Sequence, residues 1–138
     1  MKTQISKNFT LEELTASPTG TRLGLANSPS TDVKQNLQRL VDNALQPARD
    51  LWGKPIQVNS GYRSPELNKA VGGSATSQHM TGKAADITVG SKAANKELFD
   101  LIIKSNIPFD QLIDEYDYRW IHISYNEGKN RKQILHLK

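Results

Sequence analysis

Three residues of this chain have the types and spacing of a metal site. His79 lies in the run Ser77-Gln78-His79-Met80-Thr81-Gly82, Asp86 follows seven positions later, and His122 closes the triplet Trp120-Ile121-His122. Two imidazoles and one carboxylate suit Zn²⁺, and three protein ligands leave one coordination position open, the layout of a catalytic rather than a structural site. Such an ion activates water near neutral pH because it lowers the pKa of a water bound to it. A lone histidine would carry little weight, since most are exposed or satisfied in a core. The segments around these three give them their meaning.

The stretch Gly72 to His79 is polar and rich in small residues, the composition of a loop. Gly82 permits a turn, and Ala84 to Val89 then alternates as a half-buried strand does. Asp86 is expected on its polar side, with Ala85, Ile87 and Val89 packed behind. At about 3.3 Å per residue, a turn at Gly82 can fold His79 back beside Asp86. The runs Phe109 to Glu115 and Trp120 to Tyr125 read as a β-hairpin. With Asp117 and Tyr118 as its two turn residues, Tyr116 faces Arg119, Glu115 faces Trp120 and Ile113 faces His122. Opposed residues share a face, so Glu115 is predicted on the His122 face, one cross-strand diagonal away, as a general base. A slip of one residue turns it to the other face, and Asp117 at the turn is the alternative carboxylate.

Arg63 stands at the corner between a predicted buried strand, Pro55 to Asn59, and a helix opened by Ser64 as N-cap and Pro65 at the first helical position. There its guanidinium fork can meet a carboxylate through two parallel hydrogen bonds.

The remaining segments form a scaffold. Thr10 and Glu13 make a capping box, with Phe9 and Leu14 as its hydrophobic staple. This helix is expected to end before Ser17-Pro18, and Thr19 to Pro29 to form a polar loop. Val33, Leu37, Leu40, Val41, Ala44, Ala48 and Leu51 recur at helical spacing, predicting a long helix from about Ser30 to Trp52. Pro47 should kink or interrupt it, and Gly53 should stop it. A further helix is predicted over about Ser91 to Lys104, burying Leu98, Leu101 and Ile102. The order of helices and strands implies an α+β fold, helices packed on one face of a mainly antiparallel sheet and the metal on the other.

The chain has 138 residues, enough for one core, and reads as a single domain over residues 1–138. It contains no cysteine, which removes thiolate ligands and disulfides. No stretch approaches the ~18 apolar residues of a membrane span, so no membrane partner is expected. The net charge of +4 and a pI near 9.4 are scattered, apart from Lys129-Asn130-Arg131-Lys132, which reads as a solvated basic loop. Aromatic residues are not interleaved with the basic ones, so no nucleic-acid partner is expected. A mildly cationic surface suits anionic polymers in general. Met1 to Lys7 lacks the apolar core of a signal peptide, which predicts synthesis and folding in a cytoplasm, with delivery to any outside substrate. The chain is expected to act as a monomer.

The segment Ser60-Gly61-Tyr62-Arg63-Ser64, the run Ser77 to Asp86 and the strand Trp120 to His122 together resemble the peptidase M15 family, zinc peptidases of the D-alanyl-D-alanine carboxypeptidase type. Phe9 to Leu14 and Leu45 to Asp50 are similar to its small, phage-associated branch. The resemblance runs from about Phe9 to Tyr125. It implies a Hedgehog/DD-peptidase-like fold, with His79, Asp86 and His122 as zinc ligands, a carboxylate near the second histidine as base, and Arg63 as a substrate-binding cation. Several relatives carry the base three residues before the last histidine. Here that residue is Arg119, which cannot take a proton, leaving Glu115 or Asp117. The activity so implied is hydrolysis of a peptide bond in peptidoglycan stem peptides or cross-bridges, as by a phage or prophage lysis enzyme. Arg63, with Ser77 as a weaker candidate, would orient the substrate or stabilise the oxyanion. The alternative is a non-catalytic zinc-binding interaction module, since the same fold occurs in Hedgehog-type signalling domains.

Overall fold

The computed structural model describes residues 3–137. Five strands form one sheet: β1 Gln57–Ser60, β2 Ala84–Thr88, β3 Gln111–Glu115, β4 Trp120–Ser124 and β5 Gln133–Leu137, in the spatial order β1-β2-β4-β3-β5. Every pairing is antiparallel except β3 with β5. Period-two alternation sorts the side chains. Ala85, Ile87, Leu112, Ile121 and Ile123 share one core with the helices α3 Thr31–Leu40, α4 Gln46–Trp52 and α6 Lys92–Lys104. Asp86, Ile113, Glu115 and His122 fall on the opposite face. The expected α+β architecture is therefore the observed one.

Local chemistry accounts for the helices. α1 Leu11–Thr15 carries the capping box, Thr10 accepting from the Glu13 amide and the Glu13 carboxylate accepting from the Thr10 amide, while Phe9 and Leu14 are fully buried. The polar loop expected after it is instead partly helical. α2 Pro18–Leu23 has Ser17 as N-cap, Pro18 in its first turn and Gly24 as a left-handed C-cap, so Ser17-Pro18 starts a helix as well as ending one. The interruption expected at Pro47 is a widened π turn, Val41–Leu45, in which the Gln46 amide reaches back to the Val41 carbonyl. Pro47 has no amide to donate and its ring crowds the turn before it; the wider turn relieves both without ending the helix. Gly53 ends α4 in the left-handed conformation, and Ser64 caps the short helix α5 Pro65–Ala70 as predicted. In α6, Leu98 and Ile102 are buried as predicted, but Leu101 is exposed and Phe99 takes the inward position.

Two strands differ from expectation. β1 was expected to be buried, but it is a sheet edge with Gln57 and Asn59 exposed and a bulge between Val58 and Ser60. The apolar tail at Ile134 to Leu137 belongs to β5, which pairs in parallel with β3, Ile134 opposite Leu112 and His136 opposite Asp114. Being short and at an edge, it shows no clean alternation.

The hairpin register is the predicted one: Ile113 pairs with His122 and Glu115 with Trp120. The connection is longer than two residues, however, because Tyr116 and Arg119 leave the ladder. Tyr116, Asp117 and Tyr118 all have left-handed backbones, with φ of 52°, 58° and 64°, a costly conformation for side-chain-bearing residues. Two anchors hold it. Asn95, buried in α6, donates to the Tyr118 and Arg119 carbonyls, and the Tyr116 amide donates to the Leu137 carbonyl on β5.

Candidate metal centre

Asp86 on β2 and His122 on β4 are direct cross-strand partners. His79 comes from above the sheet, on the 3₁₀ turn Gln78–Thr81, which Ser77 caps by accepting from the His79 amide and which ends at left-handed Gly82. Substituting Gly82 would also drive a Cβ to 2.8 Å from the Val33 carbonyl of α3, so glycine here serves both the turn and close packing on the helix. Among the described residues, His79, Asp86 and His122 offer ligand atoms that all lie within 4.8 Å of one another.

The finer geometry suits a tetrahedral ion. Ligand atoms each 2.0–2.1 Å from a tetrahedral centre stand about 3.3 Å apart. Asp86 Oδ1 lies 3.4 Å from His79 Nε2 and 3.1 Å from His122 Nδ1. The other nitrogen of His79, Nδ1, is 2.7 Å from the Gly61 carbonyl. A carbonyl can only accept, so Nδ1 carries the proton and Nε2 turns its lone pair towards Asp86, the outer-sphere arrangement that fixes a metal-binding imidazole. Burial works to raise the Asp86 pKa, but its contacts with the imidazoles of His122 and His79 outweigh it and hold the carboxyl well below the usual range. The carboxylate is thus ionised, as a ligand must be.

An open cleft of about 1060 Å³ lies in front of these side chains. Arg63 and Glu115 both line it. The bulge in β1 turns the chain so that Gly61 packs against α1 and Arg63 faces the cleft; a Cβ on Gly61 would stand 2.2 Å from the Leu14 carbonyl. Asn27 secures this corner, donating to the Thr15 and Tyr62 carbonyls and accepting from the Ser64 amide. Arg63 Nη2 donates to Ser77 Oγ at 3.2 Å, while its Nε is buried without a partner. Burial lowers the Arg63 pKa, and the charges of Asp86 and Glu115 oppose that shift; a guanidinium remains charged regardless. Ser77 Oγ therefore accepts from both Arg63 and the His79 amide, tying the cation to the segment that carries the His79 ring.

Glu115 Oε1 accepts a hydrogen bond from the Trp120 indole at 3.0 Å. Burial raises its pKa, helped by the negative charge of Asp86; His122, the Trp120 hydrogen bond and His79 act in the other direction. Asp117 lies elsewhere: its side chain is 80% exposed and sits 3.9 Å from Lys92 at the start of α6. Arg119 is exposed in the same connection. His136 pairs with buried Asp114 beside Phe99 and Tyr118, on the helix side of the sheet.

Sequence reasoning missed three contributors. The Gly61 carbonyl has no side-chain signal. Trp120 was placed only as a strand residue, although its pairing with Glu115 followed from the register. The basic loop Lys129 to Lys132 is solvated as expected at Lys129, Arg131 and Lys132, and it also borders the cleft through Lys129 and Arg131. Arg131 is bound to Asp110, with Nε at 2.8 Å and Nη2 at 3.0 Å from the two carboxylate oxygens.

The sequence model of the peptidase M15 family matches residues 7–124, which include the three metal-ligand candidates, Arg63 and Glu115. The chain belongs to the peptidase M15 family. Within it, a segment of 49 residues is 51% identical to the zinc D-Ala-D-Ala carboxypeptidase of Streptomyces albus G. That segment covers 35% of this chain and 19% of the relative. In this M15 chain, Tyr125 to Leu137, with Arg131 and β5, lies beyond the matched region.

Proposed function

We propose that this protein is a zinc metallopeptidase that hydrolyses a peptide bond in peptidoglycan stem peptides or cross-bridges. The observation that carries this reading is the convergence of two imidazoles and an ionised carboxylate, their ligand atoms within 4.8 Å of one another, with Glu115 and Arg63 lining the same cleft. His79, Asp86 and His122 would hold Zn²⁺. When bound there, the ion supplies a Lewis acid for the scissile carbonyl and lowers the pKa of the attacking water. Family membership and the carboxypeptidase named above support both the metal and the substrate class.

Glu115 is the general base in this proposal. Its carboxylate takes a proton from the attacking water and returns it to the leaving amine. The Trp120 indole fixes one oxygen of that carboxylate, so the other is free for the transfer. Arg63 binds a substrate carboxylate or the developing oxyanion from a half-buried position, where its charge is less screened than in water. Ser77 holds Arg63 in place. One sheet and one core carry the whole site, supporting a single peptidase domain over residues 1–138. The phage-type segments Phe9 to Leu14 and Leu45 to Asp50 support a setting in phage or prophage lysis. Among the described residues no helix is long and apolar enough to cross a membrane.

Mass spectrometry of purified muropeptides after digestion tests the reading and identifies the bond. Zinc-dependent cleavage is expected, lost with a chelator and restored by Zn²⁺. A fully zinc-loaded protein that cuts no wall peptide would overturn it in favour of a zinc-binding interaction module.

A further inference from the structure

The cleft has a second half that the catalytic residues do not use. Its wall is the connection Tyr125 to Lys132, where Asn126, Lys129 and Arg131 border the same space as the metal-ligand candidates. This connection is tightly held. Asp110, 1% exposed, accepts from the Arg131 amide, Nε and Nη2, and also from Gln78, the residue preceding His79. The Lys132 amide donates to the Phe109 carbonyl, the Lys129 amide to the Asn126 carbonyl, and the Asn126 amide to Asn130 Oδ1. Gly128, with φ of 75°, makes the turn that precedes Lys129.

Charge distinguishes Lys129 from its neighbours. Arg63, Lys129 and Arg131 balance Asp86, Asp110 and Glu115 in the cleft lining, so a divalent ion would make the cleft cationic. Arg131 is spent on Asp110, Arg63 sits beside the metal ligands, and Asp86 is engaged by both histidines. Among the described residues, no carboxylate lies within salt-bridge distance of Lys129, although its backbone is fixed.

We propose that Lys129 is a specificity-determining residue that receives a second carboxylate of the peptide, further along the cleft from the bond that is cut. This inference rests on the peptidase reading above. An acidic peptide then meets two cations, Arg63 at the reacting centre and Lys129 further along. The rigid connection lowers the ordering cost of using the second.

The test uses zinc-loaded Glu115→Gln protein, which can bind without cutting. The probes are two synthetic glutamate-containing stem-type pentapeptides that differ only in whether the glutamate carboxylate is free or amidated. Calorimetric Kd values should favour the free acid about threefold to fivefold, within the range of a solvent-accessible ion pair. Adding Lys129→Gln should bring the ratio to about one, Lys129→Glu should invert it, and Lys129→Arg should keep it. A ratio independent of residue 129, or no preference for the free acid with lysine present, overturns the proposal. Hydrolysis of the same peptides by the unsubstituted protein separates the two readings. Cleavage with a ratio independent of residue 129 refutes only the lysine role. A lysine-dependent ratio without cleavage refutes the peptidase and leaves the carboxylate site standing.

Discussion

Among the described residues, His79, Asp86 and His122 bring three ligand atoms within 4.8 Å of one another. Removing one ligand should therefore empty the site without dismantling the core, whose apolar side chains lie on the opposite face of the sheet. His79→Ala or Asp86→Ala is expected to lose most bound zinc, measured by elemental analysis, while far-UV circular dichroism stays close to that of the parent. His136→Ala should keep its zinc, because that ring lies on the helix side with Asp114; zinc loss there would place the second histidine wrongly. Glu115→Gln should retain zinc yet lose at least about 10²-fold in kcat, since an amide keeps the shape but accepts no proton. Asp117→Asn should change little, because its carboxylate faces Lys92 and solvent; the opposite ranking in a peptide-release assay would exchange their roles. Arg63→Lys should restore only part of the activity lost in Arg63→Ala, as lysine keeps the charge but not the planar fork. Full activity in the lysine variant would rule out two-point recognition.

The elements hold these side chains through backbone contacts as much as through side chains. Gly61 illustrates this: it receives α1 on one side, and its carbonyl fixes the His79 ring. Gly61→Ala should destabilise the fold by about 3 kcal/mol through overpacking. It should also weaken zinc binding in the folded protein, because displacement of the carbonyl releases Nδ1 of His79. Urea unfolding and zinc competition would measure the two effects, and an alanine variant with parental zinc affinity would show that the carbonyl contact is dispensable. The hairpin offers a complementary lesson. Its left-handed connection is unfavourable in isolation and depends on Asn95 from α6 and Leu137 from β5, so the position of Glu115 is underwritten by two elements distant in sequence.

Asp110 links the ends of the molecule that build the cleft, joining the start of β3 to Arg131 and to Gln78. Hydrogen bonds from Arg131 lower its pKa most and burial opposes them, leaving it at about 2 against an ordinary 3.8. Since the folded value lies below the unfolded one, the stabilisation is present above pH 3.8 and is lost as pH falls through about 2. A shift of this size corresponds to about 2 kcal/mol. Asp110→Asn should therefore be less stable than the parent by about that amount at pH 7, with the difference shrinking towards zero near pH 2 in denaturant titrations. A gap that stays constant across this range would mean that the carboxylate charge contributes nothing.

Much of the site was legible in the chain because it depends on local periodicity. Residues two apart on a strand share a face, so Asp86 against Ala85 and Ile87, and Glu115 with His122, follow from pattern and register. The caps at Thr10, Ser64 and Gly53 were readable for the same reason, each needing only a few neighbouring residues. The helix begun by Ser17-Pro18 was hidden because one dipeptide can both end and start a helix. The π turn was hidden because Pro47 predicts a disturbance but not its form. β5, the edge position of β1, the Asn95 anchor and the Arg131–Asp110 clamp left no trace in local pattern. They arise from contacts between segments tens of residues apart, chosen by how the sheet orders its strands and how the core closes, and spacing along the chain does not encode that choice.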